Sequence, residues 1–385
     1  MKILNRLIPF IAALLLPTAL YAVALTVTSA SKARLGEDAF EHRYAAAIVR
    51  GPDVMLALQK RSVGNSPGLW KSWIWSIDST GKLLQAQELV EPNQPPDVEG
   101  PEVTAMTALT DGAVACAVVT RTGELKIVRV APGKDPSWSL GDKSLGNTLR
   151  ITRIFQTADG NLLIVGQHRG KASYMKYTVS GTRLWELSFD NSIPGAVFDG
   201  IPTPDGGAYL VADFWKNDPY MMGDSSVWIA KVGTNGDVTK QQKLSGRRPR
   251  IASSNGDGFV LAYDQSETVA QKIMLQKFGS TLDPSWSSDI LSNTRGLETF
   301  KVEQLNQGGF VVAGGDDLTL SASLVDPDGK KSWTFKDKDT RSSDFNILIA
   351  KDQFFLIYPV ISVVEIGSKR QLNTKIGISS FNVGP

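Results

Sequence analysis

From about residue 40 onward the chain is a succession of short apolar segments, some alternating with polar positions and some unbroken for five or six residues, and most end near a glycine. Segments 161–166, 208–212, 258–263 and 310–314 show the form most clearly. Successive side chains on a strand point to opposite faces, so the pattern predicts strands buried on one or both faces. No amphipathic stretch of helical period exceeds about a dozen residues.

The turn signals are periodic. One series falls at Gly51-Pro52-Asp53, Asp111-Gly112, Asp159-Gly160, Asp205-Gly206-Gly207, Asn255-Gly256, Gly308-Gly309 and Lys351-Asp352. A second follows at Thr80-Gly81, Pro132-Gly133, Ser180-Gly181, Asn235-Gly236, Phe278-Gly279, Asp328-Gly329 and Ile366-Gly367. The second series recurs at a mean spacing of about 48 residues, the period of a blade-like repeat. A unit therefore reads as strand A, a first turn, strand B, a longer connection, strand C, a second turn and strand D. A four-stranded antiparallel sheet of this size cannot cover both of its faces and must stack on its neighbours. The prediction is an all-β fold: a seven-bladed β-propeller of four-stranded antiparallel blades, with six or eight blades if the weak last unit divides differently.

Tryptophan marks the second turn. Ser180-Gly181-Thr182-Arg183-Leu184-Trp185 and Asp328-Gly329-Lys330-Lys331-Ser332-Trp333 place an indole four residues after the glycine. Asp135-Pro136-Ser137-Trp138 and Asp283-Pro284-Ser285-Trp286 place one three residues after an aspartate, and in the first unit Gln85 takes the position. A flat indole early in strand D can cover the next sheet and donate its N–H across the gap. This spacing resembles the tryptophan-docking repeats of the quinoprotein-like (PQQ-type) β-propellers, roughly A-x-D-x-x-T-G-x-x-x-W, over all seven units loosely and over the four tryptophan-bearing ones best. The quinone-dependent enzymes of that superfamily commonly pair neighbouring cysteines at the cofactor. With Cys116 alone, the resemblance implies the non-catalytic, protein-binding members and no cofactor.

Composition adds a compartment. Lys2 and Arg6 precede an apolar run, and Ala22-Val23-Ala24 offers the small residues of a cleavage site, so residues 1–24 read as a signal peptide. The alternative is an uncleaved N-terminal anchor, because 7–27 is long enough to cross a bilayer. Residues 25–43 then form a lead-in and 44–385 the propeller, in the periplasm or secreted. Loss of Lys2 and Arg6 from 41 basic and 39 acidic residues leaves a neutral chain, which points neither to nucleic acid nor to membrane contact beyond an uncleaved N-terminus. A monomeric propeller is expected.

Catalytic side chains are scarce. A Ser-His-acid triad would require His42 or His168, both read as surface histidines, and imidazole or thiolate metal ligands are too few. Cys116 lies in an apolar strand and reads as a small buried hydrophobe. The turn aspartates Asp78, Asp159, Asp205 and Asp328 read as groups that bond their own backbone. The expectation is thus a chain that is not an enzyme.

Between first and second turns, units one and four each carry about nine residues more than most of the others, and these read as long B–C loops. The first includes Leu69, Trp70 and Trp73, the second Phe214, Trp215, Tyr220, Met221 and Met222, a composition suited to a protein-binding patch. Connections that lead into strand A carry Arg150, Arg153, Arg248, Arg250, Arg295 and Arg341. Because strand A is innermost, these arginines are candidates for an anion-binding funnel. The functional expectation is a binding or scaffold module whose partner is another envelope or secreted protein. Two alternatives stand beside it: an inhibitor or immunity-type protein acting on an envelope toxin or hydrolase, and a propeller enzyme that cleaves glycans through paired carboxylates.

Overall fold

The computed structural model describes residues 25–36, 40–63, 68–95, 97–120, 122–189, 193–215, 225–255, 258–265, 271–294, 299–315, 319–338, 345–366 and 369–384. They form 28 strands and a single 3-10 turn, Gly146–Thr148. The first strand, β1 (Thr26–Leu35), belongs to the last blade. Blade 1 is β2 (Phe40–Arg50), β3 (Asp53–Ser62), β4 (Lys71–Ile77) and β5 (Leu83–Leu89), and blade 2 is β6 (Glu102–Ala108), β7 (Val114–Val119), β8 (Leu125–Val130) and β9 (Ser137–Trp138). Blade 3 is β10 (Leu149–Gln156), β11 (Leu162–His168), β12 (Lys171–Tyr177) and β13 (Arg183–Ser188), and blade 4 is β14 (Gly195–Pro202), β15 (Ala208–Trp215), β16 (Ser225–Val232) and β17 (Val238–Ser245). Blade 5 is β18 (Arg247–Ser253), β19 (Phe259–Asp264), β20 (Gln271–Phe278) and β21 (Pro284–Thr294), and blade 6 is β22 (Thr299–Gln304), β23 (Phe310–Gly315), β24 (Thr319–Val325) and β25 (Lys331–Lys338). Blade 7 combines β26 (Asn346–Ala350), β27 (Gln353–Ile366) and β28 (Lys369–Gly384) with β1 as its outer strand. Neighbouring strands in every blade run antiparallel. The protein is a seven-bladed β-propeller.

The hydrophobic core follows from strand alternation. Among the described residues it divides into seven clusters, each between two blades. Val54, Leu56 and Leu58 of β3 face blade 7, whereas Met55 and Ala57 between them face blade 2. In β27, Phe354 packs toward blade 6 and Phe355 toward blade 1. Each inner sheet thus fills both of its faces from one strand, which is why the central strands read as continuous apolar runs.

The described first-series glycines sit between the first two strands of a blade, and Gly256 lies outside the described residues. Second-series glycines in blades 1 to 6 sit between the last two, most with positive φ. The seventh unit departs from this. Ile366-Gly367 was expected to join strands C and D; Gly367 lies outside the described residues, and the strands on either side of it, β27 and β28, pair with each other up to Ile366↔Lys369 as the second and third strands of the blade. The fourth strand of this blade comes from the other end of the described residues. β1 supplies that strand, pairing with β28 from Thr26↔Gly384 to Leu35↔Ile376, so the lead-in segment is part of the ring. The first described residue, Leu25, is already buried in the blade 6–blade 7 cluster.

Strand D reaches the second turn of the next blade, as the tryptophan spacing suggested. Trp286 lies against Gly329 and donates Nε1–H to Pro327 O at 3.1 Å. Trp185 lies against Gly236, and Trp333 packs on Phe354 and Phe381 of blade 7. At the closing seam Ala33 of β1 lies against Gly81, the same contact made with a methyl group. Trp138 does otherwise. It pairs with Val128, two residues before the end of its partner strand, whereas Trp185 pairs with Lys176, one residue before the end. A one-residue offset turns a side chain to the opposite face, so Trp138 packs backward onto the blade 1–blade 2 cluster and Ser139 meets Gly181 instead. In blade 1 it is Gln87, not Gln85, that reaches over, donating Nε2–H to Lys134 O at 3.2 Å.

Candidate functional site: the central channel

The seven innermost strands, β2, β6, β10, β14, β18, β22 and β26, enclose a cavity of about 550 Å³ on the propeller axis. Local backbone irregularity aims side chains into it. Registers of β2, β6, β10, β14 and β18 against their neighbours all slip near the same level, at Tyr44/Ala46, Val103/Ala105, Ile151/Arg153, Val197/Asp199 and Arg247/Arg250. A bulge re-aims the residue that follows it. In blades 3 to 5 that residue is Arg153, Asp199 or Arg250, all lining the cavity. No register slip separates β22 from β23. There, plain alternation buries Phe300 and Val302 in the blade 5–blade 6 cluster and leaves Lys301 and Glu303 for the cavity. The opposite wall is small and uncharged: Ala45, Ala46 and Ala47 of β2, with Thr104 and Ala105 of β6.

The charged wall is cross-linked. Arg153 Nη1 donates to Asp199 Oδ1 at 2.6 Å, and the backbone N–H groups of Gly200 and Ile251 donate to the same carboxylate at 2.9 and 3.2 Å. Arg250 is pinned by Nη1 to Phe198 O at 2.9 Å and by Nε to Phe300 O at 3.2 Å, with its guanidinium over the Phe198 ring. Lys301 Nζ donates to Asn346 Oδ1, whose amide donates in turn to the Tyr44 hydroxyl. Glu303 is the least engaged: Arg153 Nη2 stands 4.0 Å away. Burial pushes the Glu303 carboxyl up to about 7, against the pull of Arg153. Burial first, then the nearby Arg250, brings the Lys301 ammonium down to about 8. Three cations and two carboxylates thus share one water-reachable cavity.

Arg153 and Arg250 of the six candidate arginines line this channel; Arg150 is exposed and, like Arg248, is not among its lining residues. Arg295 and Arg341 lie outside the described residues. Asp199, Lys301 and Glu303 were missed. The signal for the last two was present, as charges at alternate positions of an innermost strand whose other positions are apolar. Asp199 depends on a bulge, which has no sequence mark here.

The aromatic patch does not form as expected. Trp70 is 4% exposed, because the guanidinium groups of Arg43 and Arg61 stack over its ring at 4.0 and 4.4 Å. Phe214, 2% exposed, continues β15 into the blade 3–blade 4 cluster beside Trp228. Trp73 lies within β4 and packs on the blade 7–blade 1 cluster. Leu69, 42% exposed, is at the surface, and Trp215, at the end of β15, is half-buried. Tyr220, Met221 and Met222 lie outside the described residues.

Both histidines, expected at the surface, are buried. His42, in β2, packs edge-on against Trp75, and His168 bonds Glu186 at 2.5 Å and Leu145 O at 3.1 Å. Cys116 is buried, its thiol pushed up to about 12. Asp78, Asp159 and Asp205 accept their own turn N–H groups. At the sixth unit that role falls to Asp326, which accepts from the N–H groups of Asp328 and Lys330.

No protein-family model matches this sequence, and no curated protein matches it. The structure is similar to known propellers. A protein from Lactobacillus plantarum aligns over 87% of this chain and 96% of its own, at 14% identity and a TM-score of 0.51. Prolyl oligopeptidase B from Galerina marginata aligns over 87% of this chain and 51% of its own, at 13% identity and a TM-score of 0.53. A prolyl endopeptidase aligns over 87% of this chain and 50% of its own, at 12% identity and a TM-score of 0.53. The likeness is one of fold. It nevertheless corrects the expectation that the chain is not an enzyme: two of these similar structures are enzymes, so the exclusion of catalysis drawn from sequence is withdrawn. What the comparisons establish is the β-propeller, without assigning the chain to the tryptophan-docking family.

Proposed function

We propose that this protein is an exported binding module of the cell envelope whose central channel captures an anionic group of its ligand. The observation that carries the reading is the placement of Arg153, Arg250 and Lys301 on one wall of a single axial cavity, facing a wall of small side chains that leaves room for an occupant. Three fixed cations against two carboxylates leave an excess positive charge, and a narrow, low-dielectric cavity focuses its field. The leader-like residues 1–24 support export. The test is a thermal-shift titration with sodium acetate against sodium chloride of equal ionic strength. Acetate is expected to raise the melting temperature of the wild-type protein and not that of the Arg250→Ala/Lys301→Ala protein; an equal rise in both, or none in either, refutes the reading.

Glu303 favours a second reading. A carboxyl held near 7 beside a second carboxylate, Asp199, that is tied to Arg153 and two N–H groups is an arrangement suited to proton transfer on a bound ligand. Turnover would then show a pH limb near 7 that disappears in Glu303→Gln.

A further inference from the structure

The hydrogen-bonding inventory of the channel narrows the chemistry of its occupant. We propose that the channel binds a saccharide acid, one carboxylate together with several hydroxyl groups. This rests on the anion-binding reading above and names the ligand class for it.

Among the described residues, Arg250 uses Nε and Nη1 on backbone carbonyls and makes no bond through Nη2. Lys301 spends one of its three N–H donors, on Asn346. The channel therefore offers unused donors on two cations. It also offers an unused acceptor. Glu303 accepts no hydrogen bond among the described residues, and its nearest cation lies at 4.0 Å. A simple anion satisfies the donors and leaves Glu303 facing like charge. A cation satisfies Glu303 and meets three positive groups. The occupant must bring a carboxylate and hydrogen-bond donors at once.

Charge decides between the two kinds of donor. With Glu303 ionised, Arg153, Arg250 and Lys301 exceed Asp199 and Glu303 by one positive charge. A carboxylate accompanied by neutral hydroxyls cancels that excess, whereas a zwitterionic amino acid brings an ammonium and leaves it uncancelled. The rest of the polar lining is uncharged and so adds nothing to that balance: Asn255, Gln304 and Ser253 bond one another, and the Asn306 amide nitrogen donates to Lys351 O. Phe198 and the alanines of β2 supply apolar surface for the C–H face of a sugar ring. Arg250 Nη2 and the Lys301 ammonium can donate charge-assisted hydrogen bonds to the carboxylate, and a free carboxylate such as Glu303 can accept from two neighbouring hydroxyls.

The experiment is calorimetric titration of the full-length protein at pH 7.5 with D-glucuronate, D-glucose, acetate and glycine. Glucuronate is expected to bind at least about tenfold more tightly than each of the others. In Glu303→Gln the ratio of glucuronate to acetate affinity should fall to within about twofold, and a far-ultraviolet spectrum checks that this variant is folded. Glucuronate binding no tighter than acetate, or a ratio unchanged in folded Glu303→Gln, overturns the saccharide assignment while acetate binding keeps the anion reading standing. Tighter binding of glycine than of glucuronate overturns it in favour of a zwitterion. Absence of binding by acetate and glucuronate alike removes the anion reading itself.

Discussion

Replacing Gly329 with alanine should destabilise the protein through two separable terms. Gly329 sits in the second turn of blade 6 at φ +88°, and a methyl group there would lie 2.7 Å from Cε3 of Trp286 in the neighbouring blade. The left-handed backbone alone costs a non-glycine residue about 1–2 kcal/mol. Forcing a methyl into the packed ring adds about 1–3 kcal/mol. Gly133, in the equivalent turn of blade 2 at φ +65°, has no atom within 4 Å of the same methyl position, so Gly133→Ala measures the backbone term by itself. Trp286→Ala removes a half-buried indole and its bond to Pro327 O. A fully buried ring costs about 3–5 kcal/mol, so a half-buried one should cost about 2–3. In the double variant the steric term vanishes, because the methyl then has space. The Trp286→Ala/Gly329→Ala protein should therefore be more stable than additivity predicts, by about 1–3 kcal/mol. Urea unfolding followed by circular dichroism measures all four proteins. Additivity within about 0.5 kcal/mol, or a Gly329→Ala cost equal to that of Gly133→Ala, would refute the claim that indoles of one blade lock onto the turns of the next.

Other consequences can be measured directly. Excision of residues 25–35 leaves β28 as an open edge and removes the Ala33–Gly81 contact and the 3.0 Å Lys32–Asp337 ion pair. The melting temperature should fall by about 10 °C or more and recover on adding a peptide of that segment; an unchanged melt would show that ring closure does not need β1. Phe214→Ala should cost about 3–5 kcal/mol and Leu69→Ala less than about 0.5, as chemical denaturation would reveal; near-equal values would overturn their opposite placement. Asp213, beside Arg247, Arg248 and Asp264, is pushed by burial from 3.8 up to about 7. A carboxyl with a raised native pKa binds its proton more tightly when folded, so its contribution is present below about pH 4 and is lost as pH rises to about 7, by up to about 4 kcal/mol. Asp213→Asn should flatten that decline and be more stable than wild type at pH 8; a parallel decline in both proteins would contradict it.

The blade repeat was legible in the sequence because it is local. A turn glycine at positive φ, an apolar strand and a following indole lie within about 50 residues of one another, and each is stated by residue type alone. Gly181-to-Trp185 and Gly329-to-Trp333 therefore announced the docking seams, and the apolar run of β19 announced a strand buried on both faces. Pairing and register were not local. Thr26 meets Gly384 across nearly the whole chain, so the fourth strand of blade 7 could not be read from the segment that precedes or follows it. Trp138 shares the Asp-Pro-Ser-Trp spelling of Trp286 yet faces the other way, because one position of register decides the face. The candidate site follows the same division. Arginines near the start of the inner strands were visible as a series, but register slips in β10, β14 and β18 selected Arg153, Asp199 and Arg250 for the channel, and closure of the ring brought them opposite Lys301, Glu303 and the alanines of β2. The sequence by itself determined seven stacked sheets and their seams, since short-range backbone chemistry suffices for those. Only the tertiary structure decided which charges meet on the axis, since that depends on strands far apart in the chain being held at one height.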